Sequence, residues 1–357
     1  METAVYFLKE SDLERKQDTI SAVHRLTALW ALSEAGLGGV LHALRIPFTG
    51  LFIGSSAVLL IILLATFSRK KGVIMRATIL VMIVKGMVSP HTPLMSYTAV
   101  FLQGLLGELF FGTIRSKRLA GFLLAFIALL FSALQKFLVM TLVFGMNIWH
   151  SIDLFGNYVL SQFMMNGKEG VTLPISYSLI GVYTFIHLIA GLVVGFKGPG
   201  LALRIYDYSQ NSDNIFVLFP QHEIIMPDKK SRYGRFLKKM SGYLLFFIAG
   251  AIIVLSYIFP VFEQSQGLAA LIMVVRSVMI MTIWFLFLGP LLLKRLRYFL
   301  SRKETVYSAD VESIMMLLPV LRALVYDSWK ESAGEKHHRR FSRFVFQLIA
   351  RVLTVRN

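Results

Sequence analysis

Residues 85–113 read KGMVSPHTPLMSYTAVFLQGLLGELFFGT. Apolar residues dominate on both sides of a Ser-Pro-His-Thr-Pro corner, yet Lys85, Gln103 and Glu108 interrupt the runs. Two apolar helices joined by a short corner read as a hairpin of membrane spans. A charged or amide side chain inside a bilayer segment is costly unless it finds a partner. Such groups therefore point to a polar site inside a helical bundle.

The composition agrees with that reading. Of 357 residues, 56% are hydrophobic and only 16% charged, against about 25% charged in an ordinary soluble domain. Apolar runs of roughly 20 residues recur, and no short-strand alternation of the barrel type is seen. The fold class is therefore all-α, a polytopic membrane helical bundle. The net charge of +17 sits between the apolar runs, where basic residues set membrane orientation, so it argues against a nucleic-acid partner. The absence of cysteine excludes disulfides, thiolate metal sites and a cysteine nucleophile. Residues 1–25 are polar, without the apolar core of a cleavable signal, so insertion is expected to begin with the first span.

Eight spans are expected, at 26–44, 51–67, 74–88, 94–113, 119–145, 173–196, 242–260 and 268–293, with a long loop at 147–172. Lys9, Arg15, Lys16 and Arg25 precede the first span, and clusters at 69–76, 115–118, 229–239 and 294–297 follow every second one. That alternation places both termini inside the cell. The domain divisions follow: an N-terminal arm (1–25), a six-span substrate-binding bundle (26–197), a basic linker (198–240), a two-span module (241–300) and a cytoplasmic tail (301–357). Gly198-Pro199-Gly200 reads as a turn. In the tail, Val311, Ile314, Met315, Leu318, Leu321 and Val325 recur at helical spacing behind Ser308 as N-cap. Phe341, Phe344, Val345, Leu348 and Val352 do the same, with Arg340, Arg343 and Arg351 opposite. Two basic amphipathic helices of this kind suit the inner leaflet or a soluble partner.

Sorted by depth, polar groups from five of the first six spans collect in the outer half of the bundle. The candidates for ligand contact are Lys85, His91, Thr92, Tyr97, Gln103, Lys136 and His150, acting by hydrogen bonding and charge recognition. The plain alternatives are a Lys85 that snorkels to the headgroups, and Glu34 or Glu108 pairing with Arg25, Arg115 or a lysine in the bundle. His42, His91 and His150 lack metal-ligand spacing, so no metal or other cofactor is expected. Thr27, Ala31, Ala35 and Gly39 place a small residue at every fourth position of the first span, a face for internal packing or for docking a second membrane protein. Gly104 and Gly107 look like close-packing positions in the fourth span. No phosphate loop, H-E-x-x-H, G-x-S-x-G or Asp-rich diphosphate site occurs, so no catalytic residue is assigned.

The small-residue row on the first helix and the run 89–111, with its FLQGLLGELFF, resemble the substrate-binding S-components of energy-coupling factor vitamin transporters. The resemblance covers about residues 20–197. It implies a six-helix bundle, without an ATPase motif of its own, that captures a vitamin or similar small micronutrient in the bacterial inner membrane. It also implies a transmembrane coupling subunit docked on the first helix, where Ala31 and Ala35 match the A-x-x-x-A face, together with two cytoplasmic ATPases. The residues after 197 depart from the family. Two spans and two amphipathic helices are similar to part of the coupling T-component, but the segment 331–334 (ESAG) does not match its Ala-Arg-small motif. Two other classes compete with this reading: a membrane enzyme on a lipid or isoprenoid substrate using Glu34, Glu108 and histidines, and a scaffold whose basic tail recruits a soluble partner.

Overall fold

The computed structural model describes residues 22–44, 48–68, 70–89, 92, 94–163, 173–211, 216–217, 266–334 and 337–356. They are almost wholly helical: α1 (22–43), α2 (Thr49–Phe67), α3 (Val73–Val88), α4 (Leu94–Thr113), α5 (Lys117–Phe144), α6 (Asn147–Phe163), α7 (Ile175–Asn211), α8 (266–306), α9 (Ser308–Glu331) and α10 (His337–Thr354). One two-residue parallel pairing joins Phe216–Val217 (β1) to Val355–Arg356 (β2). Five helices are long and apolar enough to cross a membrane: α2, α4, α5, α7 and the Val274–Val306 part of α8. The chain is therefore a multi-pass helical membrane protein. α3 has 16 residues and rises about 24 Å, short of a ~30 Å hydrocarbon core. The expected span at 242–260 lies outside the described residues.

The helices group into two compact units that cut across the expected domain divisions: 1–133, 184–218 and 295–357 form one, and 134–183 with 219–294 the other. In the first unit the core is built by α2 and α3, whose runs Leu60–Ala65 and Leu80–Val84 are buried, with Trp30, Leu124 and Leu129 packed among them. α1 contains a π-helical turn at Ser33–Leu37, which buries Glu34 and Ala35. Ser33 Oγ and Ser56 Oγ share a hydrogen bond of 2.6 Å, which ties that turn to α2.

α7 does not end at Phe196, and Gly198-Pro199-Gly200 is not a turn: the helix runs on to Asn211 with Pro199 inside it. The small residues are there for close packing. The Pro199 ring lies 3.0 Å from where a Cβ on Gly121 would stand, and a Cβ on Gly198 would meet Ile62 at 3.2 Å. Beyond them Ala202 and Ile205 are fully buried, and Tyr206 sets its ring against Phe67 at 5.0 Å. Tertiary packing overrides the local breakers.

The tail helices spread their apolar faces on the protein itself. Val311, Ile314, Leu318, Leu321 and Leu324 of α9 are buried, as are Leu348, Ile349, Ala350, Val352 and Leu353 of α10. Ser308 is the first helical residue of α9, not its cap; Tyr307 precedes the helix without a capping hydrogen bond. At the base of this hairpin the Asp310 carboxylate accepts from Arg76 at 2.5 and 3.2 Å and lies 3.0 Å from His24 Nε2. Arg25 Nη1 donates to the Leu353 carbonyl at 2.9 Å, and Tyr208 packs on Phe346. Burial by itself would raise the Asp310 carboxyl, but hydrogen bonds from Arg76 and His24 and their charges outweigh it and hold it below its ordinary value.

In the second unit the expected loop at 147–172 is, for its first 17 residues, the helix α6. Ile148, Ile152, Phe155, Val159 and Phe163 recur in steps of three and four, an amphipathic period too short to read as a span. Two polar side chains of α6 tie it to the start of α7. Asp153 accepts from the Ser176 backbone N–H at 2.7 Å and from its hydroxyl at 3.0 Å. The Asn157 side chain bonds both the N–H and the carbonyl of Leu173.

Candidate functional site

α3 and α4 form an antiparallel hairpin whose register places each expected polar residue. At the corner, Thr92 donates its hydroxyl to the Ser89 carbonyl at 2.7 Å. Next, Lys85 of α3 faces Ser96 of α4. Further along, a Cβ on Gly104 would lie 1.9 Å from Thr78 Oγ1, and one on Gly107 only 2.6 Å from Ile61. These glycines let the helices touch backbone to side chain, so the GLLG segment is architecture. At the far end the Glu108 carboxylate accepts from the backbone N–H groups of Gly72 and Met75 at 2.5 and 3.2 Å. It therefore caps the N-terminus of α3 and pairs with none of the cations expected for it.

Lys85 neither snorkels outward nor stands open to a ligand. Its ammonium donates to Glu34 Oε2 and to Ser96 Oγ, each at 2.6 Å, and the Lys85 and Glu34 side chains are both only 4% exposed. The pair neutralises itself inside the bundle. Removing one partner of such a pair leaves an uncompensated buried charge, a loss of about 3–5 kcal/mol. Tyr97 is buried beside Gly86, its hydroxyl 3.2 Å from where a Cβ would stand.

Two turns along α4 from Ser96 is Gln103. It is buried, its Oε1 has no hydrogen-bond partner, and its Nε2 lies against Gly54 of α2. On α1, the Trp30 indole N–H is likewise buried without a protein partner. A buried polar group left unmatched loses about 1–3 kcal/mol, so an amide kept in that state is a candidate ligand contact.

The remaining candidates fall elsewhere. His91 lies outside the described residues. Lys136 and His150 belong to the second unit and are exposed; Lys136 sits over the Tyr183 ring at 4.9 Å, and that ring packs edge-on against Phe137. In the expected docking row Thr27, Ala31 and Ala35 are buried within the protein, and only Gly39 is exposed. The row is therefore used for internal packing, not offered as an open face. Among the described residues no group of three or more His, Asp or Glu gathers as metal ligands do.

The sequence reading overlooked Arg276. It is buried in α8, and its Nη2 donates to the Phe144 carbonyl at the end of α5 at 2.6 Å. Gly145, at φ 74°, makes room: a Cβ there would fall 1.9 Å from the guanidinium. The signal was present, since a lone arginine inside an apolar run carries the same warning as Lys85. Ser96, Asp153 and Asn157 were missed for a different reason, because a short polar side chain shows no partner until the helices are placed.

No protein-family model, curated protein or solved structure matches this chain.

Proposed function

We propose that this chain is the membrane substrate-binding subunit of an ATP-driven, energy-coupling-factor type importer for a vitamin or similar small micronutrient, in the bacterial inner membrane. The eight-span arrangement with both termini inside is part of the same proposal. The sequence resemblance over about residues 20–197 supports it, and one structural observation carries it: the buried, unmatched amide of Gln103 between α2 and α4. Stability alone gives no reason to keep such a group, whereas a bound small molecule with a polar edge would satisfy it.

The ion pair refines the substrate expectation. Because Glu34 already neutralises Lys85, Lys85 gives no reason to expect an anionic compound. Lys85 is a positioning residue of α3, and Gln103, Tyr97 and Thr92 remain as ligand contacts. The membrane-enzyme reading loses support, since its two glutamates are both engaged. They meet α3 at Met75 and at Lys85, ten residues and about 15 Å apart.

Coupling to a transmembrane partner and cytoplasmic ATPases remains part of the proposal, but not through an open Ala31–Ala35 face. Deleting 308–357 would be a poor test of ATPase recruitment, because it strips buried side chains and the Asp310 contacts from the bundle. Substitutions on the exposed arginines of α10 are the cleaner probe. The deciding experiment for the function is mass spectrometry of the purified protein. A small molecule retained by the wild type and absent from Gln103→Leu supports the reading, and no retained molecule together with turnover of a lipid substrate would replace it with the enzyme.

A further inference from the structure

The far end of the α9–α10 hairpin carries a cluster that the transport reading does not use. Trp329 meets Phe344 edge-on at 5.2 Å, Phe341 stacks obliquely on Phe344 at 6.4 Å, and the Arg340 guanidinium lies 4.3 Å over the Trp329 ring. The cluster is not sealed: Trp329 is 45% exposed, Phe341 63% and Tyr326, one turn earlier, 67%. Phe341 continues the apolar stripe of Leu348 and Val352 toward the start of α10. Around these rings basic residues outnumber acidic ones: α9 supplies Lys330 with Asp327 and Glu331, and Glu331 is paired with Arg351. α10 holds Arg339, Arg340, Arg343 and Arg351 and no carboxylate, with Arg339 and Arg343 exposed.

The base of the hairpin meets the ends of apolar helices. Arg25 and Arg76, which hold Leu353 and Asp310, begin the apolar helices α1 and α3. Arg76 also lies over the Tyr307 ring at 5.4 Å, and the turns of α8 just before Tyr307 expose Tyr298 and Phe299 beside Arg302 and Lys303. Aromatic rings alternating with basic residues at the ends of apolar helices mark the headgroup boundary of a bilayer.

We propose that the exposed face of the hairpin tip, Trp329 and Phe341 with Arg339, Arg340 and Arg343, binds the surface of an anionic phospholipid leaflet. The rings enter the boundary between headgroups and acyl chains, and the guanidiniums bind lipid phosphates bidentately. Aromatics exposed to water are unfavourable, and a basic surface is drawn to anionic headgroups, so an anionic interface serves both. By the topology proposed above, that surface is the inner leaflet.

The test uses the full chain in lipid nanodiscs of phosphatidylcholine, with or without phosphatidylglycerol, and bromine-labelled acyl chains as the quencher. The Trp329 signal is obtained by subtracting the emission of Trp329→Phe. Quenching several-fold stronger in the anionic discs, weakened by salt and abolished in R339E/R343E, is the expected result. Equal quenching in both lipids, no quenching in either, or quenching that survives R339E/R343E would overturn the assignment. The last outcome would mean that the rings bind without the charges, and the second that the tip does not enter the leaflet. Both arginines are exposed, so the variant is expected to fold; an unchanged melting temperature of the bundle confirms that it has.

Discussion

Glu34 and Lys85, 51 positions apart in the chain, form a salt bridge of 2.6 Å, with both side chains almost completely enclosed. Glu34 stands in the π-helical turn of α1, and Lys85 is in the last turn of α3. π-turns inside α-helices recur at functional positions, and here the turn holds the carboxylate against the only strongly buried lysine among the described residues. The pair fixes how α1 lies against the α3–α4 hairpin, since Ser96 of α4 accepts from the same ammonium.

That arrangement predicts strong non-additivity. Lys85→Met and Glu34→Gln should each lower the unfolding free energy in detergent by about 3–5 kcal/mol. The double substitution Glu34→Leu with Lys85→Met should recover most of the loss, because no buried charge is left. A double-mutant cycle read by tryptophan fluorescence on heating measures the coupling directly. Single and double variants that melt together would mean that the pair is solvated.

Gln103 should behave in the opposite sense. Gln103→Leu removes an amide that has no protein partner and keeps a similar volume, so the ligand-free protein should gain up to about 1–3 kcal/mol. The same variant should lose the retained small molecule. A stabilised but empty protein is the mark of a residue kept for binding. Destabilisation by Gln103→Leu would show that the amide has a structural role instead.

These two residues also show how far the sequence could be read. Lys85, Gln103 and Glu108 stood out because each interrupts an apolar run, and the structure gives them three different roles: an ion pair, an unmatched amide and a helix cap. Position along a span did not say which neighbours they meet, because that depends on how α1 and α2 lie against the hairpin. The same limit explains α6 and α7. An amphipathic helix of 17 residues gives no span signal, and Gly198-Pro199-Gly200 reads as a turn until Gly121 and Ile62 are known to lie opposite. Helix class and most span positions depend on local periodicity, so they were legible. Partners depend on packing and were not.

Gly104 tests the close approach of α3 and α4. Gly104→Ala would drive a methyl into Thr78, whose side chain is fully buried and has no room to retreat. The expected loss is about 1–3 kcal/mol, as for other overpacked cores. Thr78→Ala in the same chain removes the obstructing atoms and should restore much of the melting temperature. Gly112→Ala, where nothing lies within 4 Å of the new Cβ, is the control and should change little. An equal effect at both glycines would point to backbone freedom, not to packing, as the reason for Gly104.

The Asp310 carboxylate is the titratable joint between the tail and the bundle. Its pKa is held below the ordinary carboxylate value by Arg76 and His24 against the opposing effect of burial. A depressed folded value means that the folded state binds the proton less readily than the unfolded one. The stabilisation is therefore complete above the ordinary carboxylate pKa of about 3.9 and is lost as the pH falls through the depressed value. Hydrogen exchange in α9, corrected for intrinsic rates, should accordingly accelerate as the pH falls below about 4. Asp310→Asn should show the faster exchange already at neutral pH, in α9 and in the first turn of α3, and should lose the acid transition. Glu331, whose carboxyl is lowered chiefly by its hydrogen bond from Arg351, lies at the other end of α9. Glu331→Gln should leave the acid transition at Asp310 in place, which separates that carboxylate from the other lowered acid of α9.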